Sequence, residues 1–263
     1  MIRALYSAAS GMTAQQMNVD NIANNLANAN TNGFKERRTQ FKDLLYQSFI
    51  QPGAAAGAQT LVPSGLQIGL GTRPAANEII FSEGNFQETD NPLDMVIQGN
   101  GFFQVRLPNG QTAYTRAGDF QLDKDGNIVT SDGNPIEPQI TIPATAQAVS
   151  IAGDGTVTFT LPGQSASQTA GQIQLANFAN PAGLNSIGNN NFLQTDASGE
   201  PTVGNPGGQE GMGTLMQGYV EGSNVNVVEE FINMIVSQRT YEANSKVVKA
   251  ADEMYQQVNN LTQ

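Results

Sequence analysis

A three-four spacing of apolar residues runs through the beginning of the chain without a break. Its positions are Ile2, Leu5, Ala9, Met12, Gln16, Val19, Ala23 and Leu26, of which only Gln16 is polar. A narrow seam at this spacing is typical of a helix that packs in a coiled coil rather than on a globular core. The sequence therefore predicts a long N-terminal helix that needs a helical partner.

The other end of the chain has the same character. No Gly or Pro follows Gly222, and a helix of ~40 residues extends ~60 Å, which is longer than a domain of this size is wide. We expect Ser223 or Asn224 to cap this helix, with Glu229 and Glu230 in its first turn. Its apolar positions are Val227, Phe231, Met234, Ile235, Tyr241, Val248, Ala251, Met254, Val258 and Leu261.

The two end helices are expected to pair with each other. A pair still leaves outer faces open, and those faces are expected to carry Ile22, Ile232 and Val236. Because exposed apolar side chains at this density are unfavourable in water, something outside the pair must cover them. We interpret the stripe from Ile2 to Leu26 and the face from Phe231 to Leu261 as surfaces for self-assembly.

A second stripe in the N-terminal region consists of amides. Asn18, Asn21, Asn25, Asn28 and Asn32 share the three-four spacing on the side opposite the apolar residues. Asn is a poor helix former, so we favour a contact of these amides with a neighbouring subunit, although a solvated back face is the alternative. Asn32-Gly33 is expected to end the helix, and residues 34–49 are expected to continue as a shorter helical segment.

The middle of the chain is typical of β structure. Short alternating runs lie between the turn dipeptides Asn100-Gly101, Asn109-Gly110, Asp125-Gly126, Asp132-Gly133 and Asp154-Gly155. The predicted class is α+β: the long end helices pair as an antiparallel coiled coil, and the chain between them forms a central antiparallel β-rich domain with extended connectors. The predicted division is a helical assembly domain (1–45 and 224–263), extended connectors (46–94 and 191–223) and a β domain (95–190).

Composition excludes several classes of function. The chain has 263 residues with no Cys and no His, which removes thiol nucleophiles, disulfides and the usual zinc sites. The net charge is −11, and residues 46–223 hold fifteen acids and four cations, so nucleic-acid binding is disfavoured. No apolar run is long enough for membrane insertion, and the start is too polar for a cleaved signal peptide. No catalytic, cofactor-binding or metal-binding residues are predicted, and the turn at Asp123 lacks the Gly and Glu positions of a calcium loop.

Three motifs resemble the bacterial flagellar rod and hook family. Its N-terminal signature is similar to Ala23-Asn-Asn-Leu-Ala-Asn-Ala-Asn-Thr31-Asn-Gly-Phe-Lys35, and its central hairpin to Thr115-Arg-Ala-Gly-Asp-Phe120 with Asp125-Gly-Asn-Ile-Val-Thr130. Its C-terminal signature is similar to Gly218-Tyr-Val-Glu-Gly-Ser-Asn224 and Gln238-Arg-Thr-Tyr-Glu-Ala-Asn244. Within the family, residues 46–69 resemble a segment that distal rod subunits carry and hook subunits lack.

The resemblance implies a subunit of a hollow helical drive shaft, the distal rod, which transmits torque from motor to hook. The implied partners are many copies of the same chain, the proximal rod protein, the hook protein, the rod cap, and the ring proteins of the peptidoglycan and outer membrane. The implied location is the basal body where it crosses the periplasm, after export without a cleaved signal. Residues expected to brace one subunit against the next are Tyr46, Phe49, Ile50, Pro52, Leu61, Pro63, Leu66 and Ile68.

Two alternatives to a distal rod subunit stay open at this stage. A proximal rod or hook subunit of the same family is the nearer one. A secreted β-rich carbohydrate-binding protein or hydrolase, whose helices only dimerise, is the one from a different class.

Overall fold

A computed structural model describes residues 2–53, 63–163, 166–208 and 211–261. These residues form two compact units that both draw on distant parts of the chain. The first unit comprises residues 1–27, 37–78 and 226–263, and the second comprises residues 28–36 and 79–225. The two terminal helices pack on each other, as expected, and the region between them in the sequence is rich in antiparallel strands. Both expectations are confirmed.

The first unit contains the two long helices and two short β ribbons. Its elements are α1 (Ile2–Ala27), β1 (Arg37–Asp43), β2 (Tyr46–Ile50), β3 (Leu66–Gly69), β4 (Thr72–Ile79) and α2 (Val227–Leu261). β1 pairs with β4, and β2 pairs antiparallel with β3 in a register that places Tyr46 opposite Gly69. Each ribbon has two strands, so the helices must supply much of the unit's buried surface.

The helix boundaries correct three sequence-based expectations. α1 ends at Ala27, before Asn32-Gly33, and the segment expected to be helical over 34–49 forms strands β1 and β2 instead. This segment is extended because β1 pairs with the distant β4. Apolar periodicity within the segment cannot indicate a partner so far away in the sequence. α2 is capped by Asn226, whose Oδ1 accepts hydrogen bonds from the backbone N–H of Val228 at 3.2 Å and Glu229 at 3.5 Å. The acidic first turn of α2 is confirmed.

The second unit is built almost entirely from antiparallel strands. They are β5 (Phe86–Glu88), β6 (Met95–Gln98), β7 (Phe102–Arg106), β8 (Thr112–Thr115), β9 (Phe120–Leu122), β10 (Ile128–Thr130), β11 (Ile136–Glu137), β12 (Ala148–Ile151), β13 (Thr156–Thr160), β14 (Gln168–Gln172), β15 (Leu175–Asn177), β16 (Asn185–Gly188), β17 (Asn191–Leu193), β18 (Thr202–Gly204), β19 (Thr214–Gln217) and β20 (Tyr219–Glu221). A short 3-10 helix spans Pro181–Gly183.

The largest sheet has seven strands and separates two apolar clusters. Its order is β16-β17-β8-β7-β15-β18, and β11 also pairs with β7. Successive side chains of a strand point to opposite faces, so Phe103 packs in one cluster with Phe120, while Phe102 packs in the other with Phe178. The alternating pattern expected for this region is therefore the pattern that builds its core.

The turn dipeptides were predicted well, with one exception. Asn109-Gly110, Asp125-Gly126 and Asp154-Gly155 connect strands that pair with each other, as expected. A bridge between Val129 and Pro135 closes the turn at Asp132-Gly133. Asn100-Gly101 does not connect a hairpin, because β6 pairs with the distant β19 rather than with β7.

Several strands lie in the segments that were predicted to be extended connectors, residues 46–94 and 191–223. β2, β3 and nearly all of β4 are paired strands of the first unit, and residues 191–223 contribute β17 to β20 to the second unit. The three-part division of the chain stays a prediction, but its connectors contain paired strands rather than isolated extended chain.

Candidate assembly surface

Three pairs of residues join α1 to α2 at a constant interval. Asn25 Nδ2 donates to Glu230 Oε2 at 3.0 Å, and Asn18 Nδ2 donates to Ser237 Oγ at 2.8 Å. Gly11 faces Asn244, because a Cβ added at Gly11 would lie 2.9 Å from Asn244 Nδ2. Each step of seven residues down α1 is matched by seven residues up α2, so the helices run in opposite directions with a heptad repeat. We call these three pairs the polar seam.

The polar seam changes the interpretation of both N-terminal stripes. Asn18 and Asn25 belong to the amide stripe, yet they face α2, and Asn25 is only 1% exposed. Asn25 is therefore buried by its own chain, and contact of the amide stripe with a neighbouring subunit stays a prediction. The amide of Asn21 also has partners within the chain, since it donates to Thr39 Oγ1 and to Asn77 Oδ1. Asn28 and Asn32 lie beyond the end of α1.

Asn25 connects three elements of the first unit. Besides Glu230 on α2, its Nδ2 donates to the backbone carbonyl of Arg37, and its Oδ1 accepts from the backbone N–H of Arg37 at 3.0 Å. The side chain thus pairs with β1 as a neighbouring strand would. Asn21 and Asn77 exchange two hydrogen bonds, which attach β4 to the same helix.

The apolar stripe of α1 lies beside the polar seam rather than in it. Leu5, Met12, Val19 and Leu26 are half-buried. Ile22 is 5% exposed, which corrects the expectation that it lies on an open outer face. The described part of the chain includes neither the side chains of Ile2 and Leu261 nor any of Leu61.

The side of α2 away from the seam is apolar and open in this chain. Phe231 is 49%, Ile235 57%, Ile232 57% and Val236 58% exposed, as expected for the last two. Further along α2, Met234 and Val248 are half-buried, whereas Tyr241, Met254 and Val258 are between 42% and 46% exposed. Contiguous apolar side chains of this kind mark an interaction surface.

The ribbon of β2 and β3 presents a second open apolar surface. Five of its apolar side chains are between 42% and 56% exposed: Tyr46, Phe49, Ile50, Leu66 and Ile68. Pro52 and Pro63, which follow β2 and precede β3, are exposed too. The ribbon contacts α1 where the Arg3 guanidinium lies 4.9 Å from the centre of the Phe49 ring. An isolated two-stranded ribbon is marginally stable in water, so further cover is expected.

A buried charge cluster organises the second unit. Lys35 Nζ lies 2.5 Å from Glu221 Oε1, and Arg116 Nη1 lies 3.6 Å from Glu221 Oε2, with both the Lys35 and Glu221 side chains fully buried. The Glu221 carboxylate also accepts from the backbone N–H of Gly84, and Lys35 Nζ donates to the carbonyl of Ser82. Burial lowers the pKa of Lys35, and the Glu221 carboxylate opposes that shift. Burial lowers the pKa of Arg116 as well.

Residue-by-residue analysis of the sequence missed this cluster, although a signal for it was present. Each charge lies in a different one of the three motifs: Lys35 ends the first, Arg116 is in the second, and Glu221 is in the third. Gly33 allows the first motif to approach the second, because it has φ +69° and an added Cβ would lie 2.6 Å from the backbone N of Ala117. Motifs distant in the sequence thus meet at one point.

The described residues include neither a side-chain cluster that could hold a metal ion nor a helix that could span a membrane. Across residues 2–53, 63–163, 166–208 and 211–261, no three carboxylates are grouped as they would be to hold a metal ion. Within the same ranges, neither helix combines the length and apolar character that a bilayer crossing demands.

Comparison with known proteins identifies the family. The family described as flagella basal body rod protein matches residues 5–35, the flagellar hook protein FlgE/F/G D1 domain matches 96–159, and the flagellar basal body rod FlgEFG protein C-terminal family matches 216–261. These three segments contain Lys35, Arg116 and Glu221 respectively.

Full-length relatives agree with these matches. The chain is 49% identical to the flagellar basal-body rod protein FlgG of Buchnera aphidicola subsp. Schizaphis graminum, over 99% of this chain and 100% of the relative. It is 48% identical to FlgG of Caulobacter vibrioides and 42% identical to FlgG of Bacillus subtilis, each over 99% of both chains. The chain therefore belongs to the FlgG family of flagellar basal-body rod proteins, which are structural subunits of the flagellum and not enzymes.

Proposed function

We propose that this protein is a subunit of the distal rod that assembles with many copies of itself into a hollow helical drive shaft. The shaft transmits torque from the motor to the hook by rigid packing. The observation that carries the proposal is the open apolar side of α2, where four side chains are between 49% and 58% exposed: Phe231, Ile232, Ile235 and Val236. A single chain cannot cover these side chains, whereas neighbouring copies can.

The polar seam supports a coiled-coil pairing of the terminal helices inside the shaft. Contacts that repeat every seven residues on both helices are the spacing that left-handed supercoiling requires. The inner tube would then be formed by residues on both helices beside and opposite the seam: Ile2, Leu5, Met12, Val19, Ile22 and Leu26 on α1, and Phe231, Met234, Ile235, Tyr241, Val248, Met254, Val258 and Leu261 on α2. Ile22 would act within the pair, since it is buried already.

The ribbon of β2 and β3 is proposed to brace one subunit against the next. Its apolar side chains are exposed on both faces, and its two strands cannot form a core of their own. A neighbouring copy that covers the ribbon would fix the distance between subunits, which gives a shaft its stiffness. Tyr46, Phe49, Ile50, Pro52, Leu61, Pro63, Leu66 and Ile68 are the residues assigned to this contact.

The proposed partners and location follow from the family. The rod would contact the proximal rod protein at one end and the hook protein and rod cap at the other, and the peptidoglycan and outer-membrane rings along its side. It would cross the periplasm after export without a cleaved signal peptide. The names of the relatives, which are basal-body rod proteins, support the rod rather than a carbohydrate-binding function.

Assembly can be tested on the apolar side of α2. Ile235→Asp places a charge among side chains that must be desolvated when copies pack, so fibre growth should fall to background while the β-rich unit stays folded. Leu26→Asp tests α1 in the same way. Growth is measured by sedimentation and negative-stain electron microscopy, and folding by circular dichroism.

The matched control is Gln238→Asp, which adds the same charge at an exposed polar position of the same helix. Gln238→Asp should assemble as the parent does. Normal fibres from Ile235→Asp would overturn the proposal that this face is buried between copies.

A further inference from the structure

We propose that the polar seam fixes the axial register of α1 on α2, so that every subunit presents the same assembly surface. Asn18, Asn25 and Gly11 are the positioning residues on α1, and their partners are Ser237, Glu230 and Asn244. This inference rests on the proposed self-assembly, since only a repeating structure requires an identical offset in each copy. It assigns to two hydrogen-bonded pairs and one steric fit a role that apolar packing cannot perform.

Apolar periodicity alone leaves the register open. In a heptad pattern, a slip of seven residues returns similar positions to the interface. Ala8 and Ala14, three residues on either side of Gly11, are buried but have little side-chain area to distinguish one register from the next. The energy that separates the registers must therefore come from the polar pairs.

Each neighbouring register breaks these pairs. A slip in one direction places Asn18 opposite Asn244 and Asn25 opposite Ser237, which removes the Asn25 amide from the buried Glu230 carboxylate. A slip in the other direction places Asn18 opposite Glu230 and Gly11 opposite Ser237, and it moves Asn25 to position 223, before the first residue of α2, Val227. The first slip therefore leaves Glu230 without an amide partner and the second leaves Ser237 without one. Glu230 is 5% and Ser237 3% exposed, so the unpaired group would be buried in either case. Leaving a buried polar group unpaired is unfavourable.

The pair of Gly11 and Asn244 adds a steric criterion. The Asn244 side chain occupies the space that a Cβ at position 11 would need. In either slipped register, Asn244 would instead meet a residue that carries a side chain, either Asn18 or Ala4. The seam therefore combines two hydrogen-bonded pairs with one fit of a small residue to a large one.

Asn25 also fixes the position of α1 relative to β1. Its amide bonds both backbone groups of Arg37, the first residue of β1, while it also bonds Glu230. If α1 slipped along α2, Asn25 would lose its hydrogen bonds either to α2 or to β1. The side chain thus keeps α1, α2 and β1 in one relative position.

The absence of Cys from the chain permits a direct test of register. The in-register reporter is Gly11→Cys with Asn244→Cys. The slipped reporter is Gly11→Cys with Ala251→Cys, whose second position is seven residues, or ~10 Å, further along α2. It also carries Asn244→Ala, because a Cβ at position 11 would otherwise meet the Asn244 side chain, so both reporters test the two hydrogen-bonded pairs alone. Disulfides within one chain are measured by non-reducing electrophoresis on full-length protein pelleted as fibres, which separates them from disulfides between chains.

The test compares three backgrounds. In the parent, the in-register disulfide should exceed the slipped one by about tenfold or more. When Asn18→Leu, Ser237→Leu, Asn25→Leu and Glu230→Leu are combined, the two yields should come within about threefold, because an apolar seam no longer distinguishes registers. The swapped pair Asn18→Ser with Ser237→Asn keeps a hydrogen bond across the seam and should retain the parent ratio.

The outcomes separate this inference from the proposed function. If the apolar-seam background keeps a tenfold preference, the seam does not set the register, even when fibres form normally. If the swapped pair loses the preference while the helices remain folded, the hydrogen bond is not the determinant and the inference is overturned. If the parent itself never sediments as fibres, the proposed self-assembly fails instead. Should the fourfold Leu variant not fold, Asn18→Leu with Ser237→Leu alone must lower the parent ratio.

Discussion

Glu221 is a carboxylate whose side chain is fully buried between two cations. Its Oε1 contacts Lys35 and its Oε2 faces Arg116, while its own backbone carbonyl accepts from the N–H of Gly33 at 2.7 Å. Burying one charge alone is costly, and removing one member of a buried ion pair leaves the other uncompensated. The contacts of Glu221 therefore tie the segment that follows α1 to the strand that precedes α2.

Removing the charge of Glu221 should destabilise the second unit strongly. Glu221→Gln leaves Lys35 and Arg116 buried without a counter-charge, and breaking a buried pair in this way costs about 3–5 kcal/mol. Urea unfolding of the full chain, followed by far-ultraviolet circular dichroism, measures the loss. Glu88→Gln, at an exposed position of β5, is the control and should change the free energy of unfolding by less than about 0.5 kcal/mol. Equal midpoints for the two variants would contradict the role assigned to Glu221.

At the residue scale, sequence showed which positions are apolar but not which polar ones are buried. Asn18 and Asn25 were recognised as a regular stripe, and their spacing was correct. The direction that they face depends on Ser237 and Glu230, more than 200 residues away in the chain. Spacing within one helix defines stripes, whereas the partner decides which stripe becomes the interface.

At the element scale, the helices and hairpins could be predicted and the ribbons of the first unit could not. α1 and α2 have strong local patterns, and the Asp125-Gly126 and Asp154-Gly155 turns bring together strands that are neighbours in sequence. β1 pairs with β4 instead, and its charged beginning resembles the first turn of a helix. Strands that pair at a distance leave little trace in their own composition.

The ribbon of β2 and β3 offers an element-scale prediction about stiffness. Phe49→Asp places a charge on a side chain that is 48% exposed and proposed to be covered by a neighbouring copy. Fibres of this variant should be shorter and more curved than those of the parent, as measured by electron microscopy. Ser48→Asp adds the same charge at the adjacent polar position, opposite Gln67, and should leave the fibres straight. Curvature that is the same in both variants would argue against bracing by Phe49.

At the scale of the whole molecule, the sequence predicted the order of helix, β region and helix, and the family. It did not predict how the segments after α1 divide between the two units. Residues 28–36 belong to the β-rich unit, and residues 37–78 belong to the unit that contains the helices. That division is set by contacts such as Lys35 with Glu221 and Asn25 with Arg37. Both contacts form only when distant parts of the chain are present together.

A deletion strain tests the proposed position of the subunit in the shaft. Cells without this protein should make basal bodies with a short shaft and no hook, because the distal section would be missing while the proximal section still assembles. Electron microscopy of purified basal bodies measures the length. Expression of the intact gene from a plasmid is the control and should restore the hook. Arrest before any shaft forms would favour a proximal subunit instead.

The place of Glu221 in the chain has a consequence for the order of events during synthesis. A ribosome releases Lys35 and Arg116 long before Glu221, whose carboxylate contacts both of them. Until residue 221 of 263 has emerged, two positive charges lack the partner that allows them to be buried. A nascent chain is thus kept from completing its β-rich unit until residue 221 has been made, and a polypeptide truncated before that residue could not complete the unit at all.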